Sequence, residues 1–141
     1  MSFMSVSEAL FAGVPWKTDF EKARQEAKIE NKLILLKFSG SDWCIPCIKM
    51  EKNVFAQDTF SNFASDKLVM VNADFPRKSS SLPKATVKQN EALAEKYDKD
   101  GRFPYTILMN ADGKVLMTWD GYSGVKATDI IQDIKTHTLD K

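Results

Sequence analysis

Trp43-Cys44-Ile45-Pro46-Cys47 holds both cysteines of the chain in a C-x-x-C spacing. Two thiols this close can exchange with an external disulfide, close an inert bridge, or supply half of a metal site. Their setting favours exchange. A near-continuous apolar run, Leu33, Ile34, Leu35, Leu36 and Phe38, precedes them, and a helical pattern through Ile48, Glu51 and Phe55 follows. A thiol at a helix N-terminus faces unpaired backbone N–H groups and the positive end of the dipole, and both favour the thiolate. Such settings lower a cysteine pKa from about 8.5 into roughly the 3.5–7.5 range, making the sulfur nucleophilic near neutral pH. Cys44 is therefore assigned as the attacking nucleophile, and Cys47 as the thiol that resolves the mixed disulfide. Cys44, nearer the loop, is expected to be the more exposed of the two. Pro46 falls in the first helical turn, where its missing N–H costs little. The only histidine, His137, is far along the chain and reads as an exposed surface residue, so a four-ligand zinc site cannot be completed. No metal site is expected and no dissociable cofactor is needed.

The elements that must position this pair can be read from the pattern around it. The chain has 141 residues, 43% apolar and 28% charged, which fits one domain with a real core. Twenty basic side chains against nineteen acidic ones leave a net charge of +1. That balance argues against a nucleic-acid binder and against an acidic disordered tail. No apolar run approaches the length of a membrane span, which predicts a soluble chain. Residues 1–17 read as an N-terminal extension and residues 18–141 as the folded domain. No basic residue precedes Lys17, so the charged start of a signal peptide is missing.

Thr18 and Glu21 fit a capping box, and Phe20, Ala23 and Ala27 continue a first helix to about Asn31. The run from Leu33 to Phe38 predicts a strand covered on both faces. Asp58 caps a short turn carrying Phe60 and Phe63, and residues 67–74 give a second strand, parallel to the first. Residues 76–88, with Arg77, Lys78, Pro83 and Lys84, read as a loop whose basic rim could select a partner protein. A helix is expected over residues 90–97. Residues 105–109 and 115–119 form a hairpin through Asp112-Gly113. Ile130, Ile131 and Ile134 mark a last helix, and the phenylalanines and Trp119 read as core.

In this context the chain resembles the thioredoxin-fold thiol–disulfide oxidoreductases. The likeness rests on residues 38–47, on Asn72-Ala73-Asp74, on Glu95-Lys96-Tyr97 and on Phe103-Pro104-Tyr105-Thr106. The first helix and the Gly40-Ser41-Asp42-Trp43-Cys44 loop are more similar to exported bacterial members, among them disulfide isomerases and the terminal domains of transmembrane electron transporters. The resemblance implies an α/β thioredoxin fold, a central mixed sheet flanked by helices. It implies a cis proline at Pro104 facing the C-x-x-C loop, with Phe103 pairing with the substrate backbone. Trp43, Ile45 and Pro46 would complete the substrate surface. Two positions depart from the family. A buried acid usually precedes the aromatic that matches Phe38, and here it is Lys37; the family's partner lysine is replaced by Met70. Lys37 either points toward Cys47 and favours its thiolate, or snorkels to solvent.

The function this implies is disulfide exchange on proteins or peptides, in the reductase or isomerase direction, with an upstream thiol partner and a monomeric enzyme. The alternatives are a thioredoxin-fold binding or chaperone module without turnover, and a peroxidase, whose supporting threonine or arginine is not evident beside the thiol. The resemblance favours a periplasmic or exported protein, with the cytoplasm as the other possibility.

Overall fold

The computed structural model describes residues 15–138, so most of the extension expected over residues 1–17 lies outside the described residues. The elements are α1 (Phe20–Glu30), β1 (Leu33–Ser39) and α2 (Ile45–Met50), which runs on into a π-helical turn (Glu51–Phe55). They continue with α3 (Asp58–Lys67), β2 (Leu68–Asp74), a 3-10 turn (Ser79–Ser81), α4 (Lys84–Tyr97), β3 (Tyr105–Met109), β4 (Val115–Asp120) and α5 (Ala127–Thr138). The sheet order is β2-β1-β3-β4; β1 pairs parallel with β2, while the β1–β3 and β3–β4 pairs are antiparallel. This is the mixed sheet that the resemblance implied.

Side chains alternate across a strand, and that alternation splits the core in two. Leu33 and Leu35 of β1 join Leu68 and Met70 of β2 and Leu108 of β3 against Met50, Val54, Phe60, Ile130 and Ile134. Ile34, Leu36 and Phe38 join Val69, Val71, Ile107 and Met109 against Ala23, Ala27 and Leu93. The first face is thus covered by α2, α3 and α5, and the second by α1 and α4. Because β1 is covered on both faces, its sequence is apolar almost throughout.

Several boundaries differ from the sequence expectation. Asp19, not Thr18, caps α1: its Oδ1 accepts the Lys22 N–H at 3.1 Å. The turn expected after Asp58 is a full helix of ten residues. The loop expected over residues 76–88 ends at Pro83, and α4 occupies the rest. The inner side of α4 passes through Val87, Asn90 and Leu93, and the polar Asn90 hides the apolar period. Asn90 is buried because its side-chain N–H donates to the Asp74 carbonyl at 3.0 Å. His137 is half-buried rather than exposed. The hairpin closes as expected, with Asn110 Oδ1 accepting the N–H groups of Asp112 (2.9 Å) and Lys114 (3.0 Å). Gly113 takes φ +90°, a conformation that favours glycine.

Lys17 forms a parallel bridge at the outer edge of β2: its N–H donates to the Met70 carbonyl and its carbonyl accepts from Asn72. Beside it, the Trp16 ring packs edge-on against Phe55, with centroids 5.2 Å apart.

Candidate active site

The cysteine pair sits where β1 hands over to α2. Cys44 is the N-cap of α2, with extended backbone (φ −93°, ψ 102°), and Pro46 lies in the first turn. Cys44 Sγ accepts the Cys47 N–H at 3.3 Å, filling the place that a serine or aspartate oxygen takes at an ordinary N-cap. The same donor stabilises negative charge on that sulfur when the bridge is open. The two sulfurs form a disulfide, with Cα atoms 5.2 Å apart. Cys44 and Cys47 are 5% and 4% exposed, so the greater exposure expected of Cys44 is not found. The bridge draws both sulfurs under the loop, and the neighbouring Ile45, 60% exposed, and Pro46 form the outer surface.

The loop that leads into this cap is tied to the end of β2. Ser41 donates to Asp74 twice, from its N–H at 2.9 Å and from its hydroxyl at 2.6 Å. Asp42 Oδ1 accepts the Arg77 N–H at 3.0 Å. Trp43 folds back over Gly40, and its indole N–H donates to the Phe75 carbonyl at 2.7 Å. A Cβ on Gly40 would overlap the Trp43 ring, so only glycine fits under it. Trp43 meets the edge of Phe103 at 5.4 Å, and Phe103 meets Phe75 at 5.5 Å. The Phe103–Pro104 peptide bond is cis. Trp43, Phe103 and the cysteine bridge are thereby gathered at one end of the sheet.

Beneath the bridge lies a cavity of about 180 Å³ whose walls include Lys37, Ser39, Cys47, Glu51 and Asn72. Strand register explains its polarity. Lys37 and Ser39 continue the face that begins with Leu33 and Leu35, and Lys37 is paired in register with Asn72 and Thr106. Lys37 is only 7% exposed, so it does not snorkel to solvent. Its Nζ donates to Glu51 Oε1 at 2.7 Å and stands 4.2 Å from the Trp16 ring centroid. The Trp16 indole N–H donates to the same Glu51 oxygen at 3.2 Å. Glu51 begins the π-helical turn, four residues beyond Cys47 and so on the same side of the helix. Its role was not foreseen from sequence, where it appeared only as one residue of a helical pattern. The usable signal was its spacing from Cys47. Asp74 was likewise seen only as part of a motif, not as the clamp on Ser41.

The sequence comparisons agree with this geometry. Residues 20–135 match the family described as thioredoxin-like domain. The chain is 36% identical over 105 residues to the disulfide bond reductase DsbH of Chlamydia pneumoniae, covering 74% of this chain and 61% of that protein. To the thioredoxin-related protein DsbJ of the same organism it is 31% identical over 97 residues, covering 69% of this chain and 27% of that one. The chain thus spans about three fifths of the first relative's length and about a quarter of the second's. A solved DsbH oxidoreductase superposes with a TM-score of 0.80 at 32% identity, over 89% of this chain and 84% of that one. Since the family match runs from the first residue of α1 into the last helix, this chain belongs to the thioredoxin-like domain family.

Proposed function

We propose that this protein is a thiol–disulfide oxidoreductase that reduces or isomerises disulfides in proteins or peptides. The observation that carries the reading is the joint placement of the two sulfurs. Cys44 Sγ caps a helix and accepts the Cys47 N–H, while Cys47 borders a cavity holding an ion pair.

In the reducing direction, the Cys44 thiolate attacks one sulfur of the substrate disulfide. That S–S bond breaks, and the released substrate thiolate takes up a proton from solvent. Cys47 then loses its proton and attacks Cys44 Sγ in the mixed disulfide. The Cys44–Cys47 bond forms, the second substrate sulfur leaves, and a pair of electrons has passed from protein to substrate. An upstream dithiol protein restores the reduced pair by the reverse exchange. We assign the Lys37–Glu51 pair to the deprotonation of Cys47. The ammonium favours the thiolate, and the carboxylate is available to take its proton at the cavity wall. Trp43, Ile45, Pro46, Phe103 and Pro104 form the surface against which the substrate chain lies. The resemblance to exported family members supports work in the periplasm.

Reduction of insulin by dithiothreitol, followed as turbidity, tests the reading. The protein accelerates it and Cys44→Ser abolishes the acceleration; equal rates with and without the protein would refute the activity. The equilibrium potential of the Cys44–Cys47 couple in glutathione buffers sets the direction: a strongly reducing value marks a reductase, an oxidising one an isomerase.

A further inference from the structure

A groove of about 560 Å³ opens beside the redox loop, between the C-terminal half of α4 and the segment that leads to Pro104. Its apolar end is formed by Phe75 and Phe103, the rings that continue from Trp43. The groove also carries Glu91, Glu95 and Asp98, against a single Lys99. Among the described residues none of these four charged side chains is in an ion pair. Glu91 and Glu95 are four residues apart on α4, a spacing at which like charges repel and weaken the helix.

Asp98 adds an independent observation. It is 4% exposed, and its Oδ1 accepts the Arg102 N–H at 2.9 Å. Its Oδ2 is buried and makes no hydrogen bond. A carboxylate oxygen in that state is an acceptor without a donor, and supplying one is favourable. The basic residues expected to form a rim, Arg77, Lys78 and Lys84, do not line this groove.

We propose that the groove is a specificity site that takes a lysine or arginine side chain of the substrate polypeptide while its disulfide lies at Cys44. This rests on the proposed function. Phe75 and Phe103 cover the aliphatic stem of the basic residue, the carboxylates of Glu91 and Glu95 receive its charged head, and the unpartnered Asp98 oxygen beneath them adds to the attraction. The two ring contacts, 5.4 and 5.5 Å, limit the path from Trp43 to Phe75 to at most about three residues of extended chain at ~3.4 Å each. The preferred substrate therefore carries its basic residue within about three positions of the reacting cysteine.

The test uses two peptide disulfides, identical except that arginine or glutamate stands three residues to each side of the cysteine. Neutral hydroxyethyl disulfide is the small reference substrate. The reduced protein should favour the arginine peptide in kcat/KM by roughly tenfold at low salt, with the ratio shrinking as salt is added. The double variant Glu91→Gln/Glu95→Gln should bring the ratio close to one and leave the hydroxyethyl disulfide rate unchanged. A ratio of one in the parent protein, or a ratio that survives in the variant, would overturn the proposal. Failure to reduce either peptide, hydroxyethyl disulfide or insulin would instead refute the proposed function. The groove is then decided by NMR titration with the same peptides carrying serine for cysteine. Saturating shifts at the Gly101 and Phe103 amides with the arginine peptide alone support it, and no shifts, or equal shifts with both peptides, reject it.

Discussion

The two faces of β1 follow different rules over the same seven residues. On one face Ile34, Leu36 and Phe38 remain apolar to the end of the strand and pack against α1 and α4. On the other, Leu33 and Leu35 enter the core, and then Lys37 and Ser39 replace hydrophobic side chains at the end nearest the cysteines. Both Lys37 and Ser39 are buried, so the polar stretch is not a strand surfacing into water. Burying an ammonium is tolerated only with a partner, which Glu51 supplies at 2.7 Å. The contrast separates the tasks of the strand: one face holds the sheet to its helices, and the other gives up apolar burial to set the surroundings of Cys47.

The contrast breaks most severely at its chemical end. Cys44→Ser should remove all turnover in the insulin assay while leaving the far-ultraviolet circular dichroism unchanged, since serine is itself a competent N-cap. Cys47→Ser should instead accumulate the mixed disulfide, visible by mass spectrometry as a covalent substrate adduct.

The apolar face should fail differently. Phe38 is fully buried, and Phe38→Ala should lower stability by about 3–5 kcal/mol, measured by urea unfolding of the reduced protein. The alkylation rate of Cys44 in the fraction still folded should stay at its parental value. If that rate fell in step with stability, the division of labour between the faces would be wrong.

A sharper test lies within the polar face. In a Cys44→Ser background, alkylation of Cys47 by iodoacetamide reads its thiolate fraction at fixed pH. Lys37→Met should slow that alkylation and Glu51→Gln should speed it, each by roughly several-fold, because the two charges act on the thiolate with opposite sign. Effects of the same sign would mean that the pair acts only through packing.

The smallest effect is expected away from the strand. Burial raises the Asp98 carboxyl above its ordinary value of 3.8, with contributions from Asp100 and Asp120, against the Arg102 N–H and charge. A raised folded-state value means that the native protein holds this proton more tightly than the unfolded chain does. The stability this contributes is complete below 3.8 and is lost as pH rises through the raised value. Asp98→Asn should remove that downward slope, so melting curves between pH 3 and pH 7, an interval of about four units, should show a flatter dependence in the variant. An unchanged slope would show that the carboxyl is not linked to folding.

Much of this was legible from residue order. The C-x-x-C, the apolar strand before it and the helix after it are local features, and the Asp112-Gly113 turn carries its own backbone preference. The mixed sheet and the cis bond at Pro104 followed from the likeness around Phe103. What stayed hidden depends on register. Lys37 and Glu51 are fourteen residues apart, and nothing local says that strand alternation and helix phase will aim them at one another. The Ser41–Asp74 clamp spans thirty-three residues and needs the parallel β1–β2 pairing to exist first. The start of α4 was missed for another reason: Asn90 occupies a core position by virtue of its bond to the Asp74 carbonyl, so composition misstates its environment.

Trp16 and Lys17 stand outside the stretch that matches the family, yet they do two jobs together. Lys17 occupies hydrogen-bonding groups on the outer rim of β2, and the adjoining indole roofs the ammonium–carboxylate couple below the bridge. Trimming the chain to Phe20 would bare a strand able to zip onto a second molecule. The same cut would remove the indole that stands over Lys37 and donates to Glu51, uncovering the ion pair beside Cys47. Cover for the strand edge and cover for the buried ion pair are therefore supplied together, by a short stretch that a family boundary would leave out.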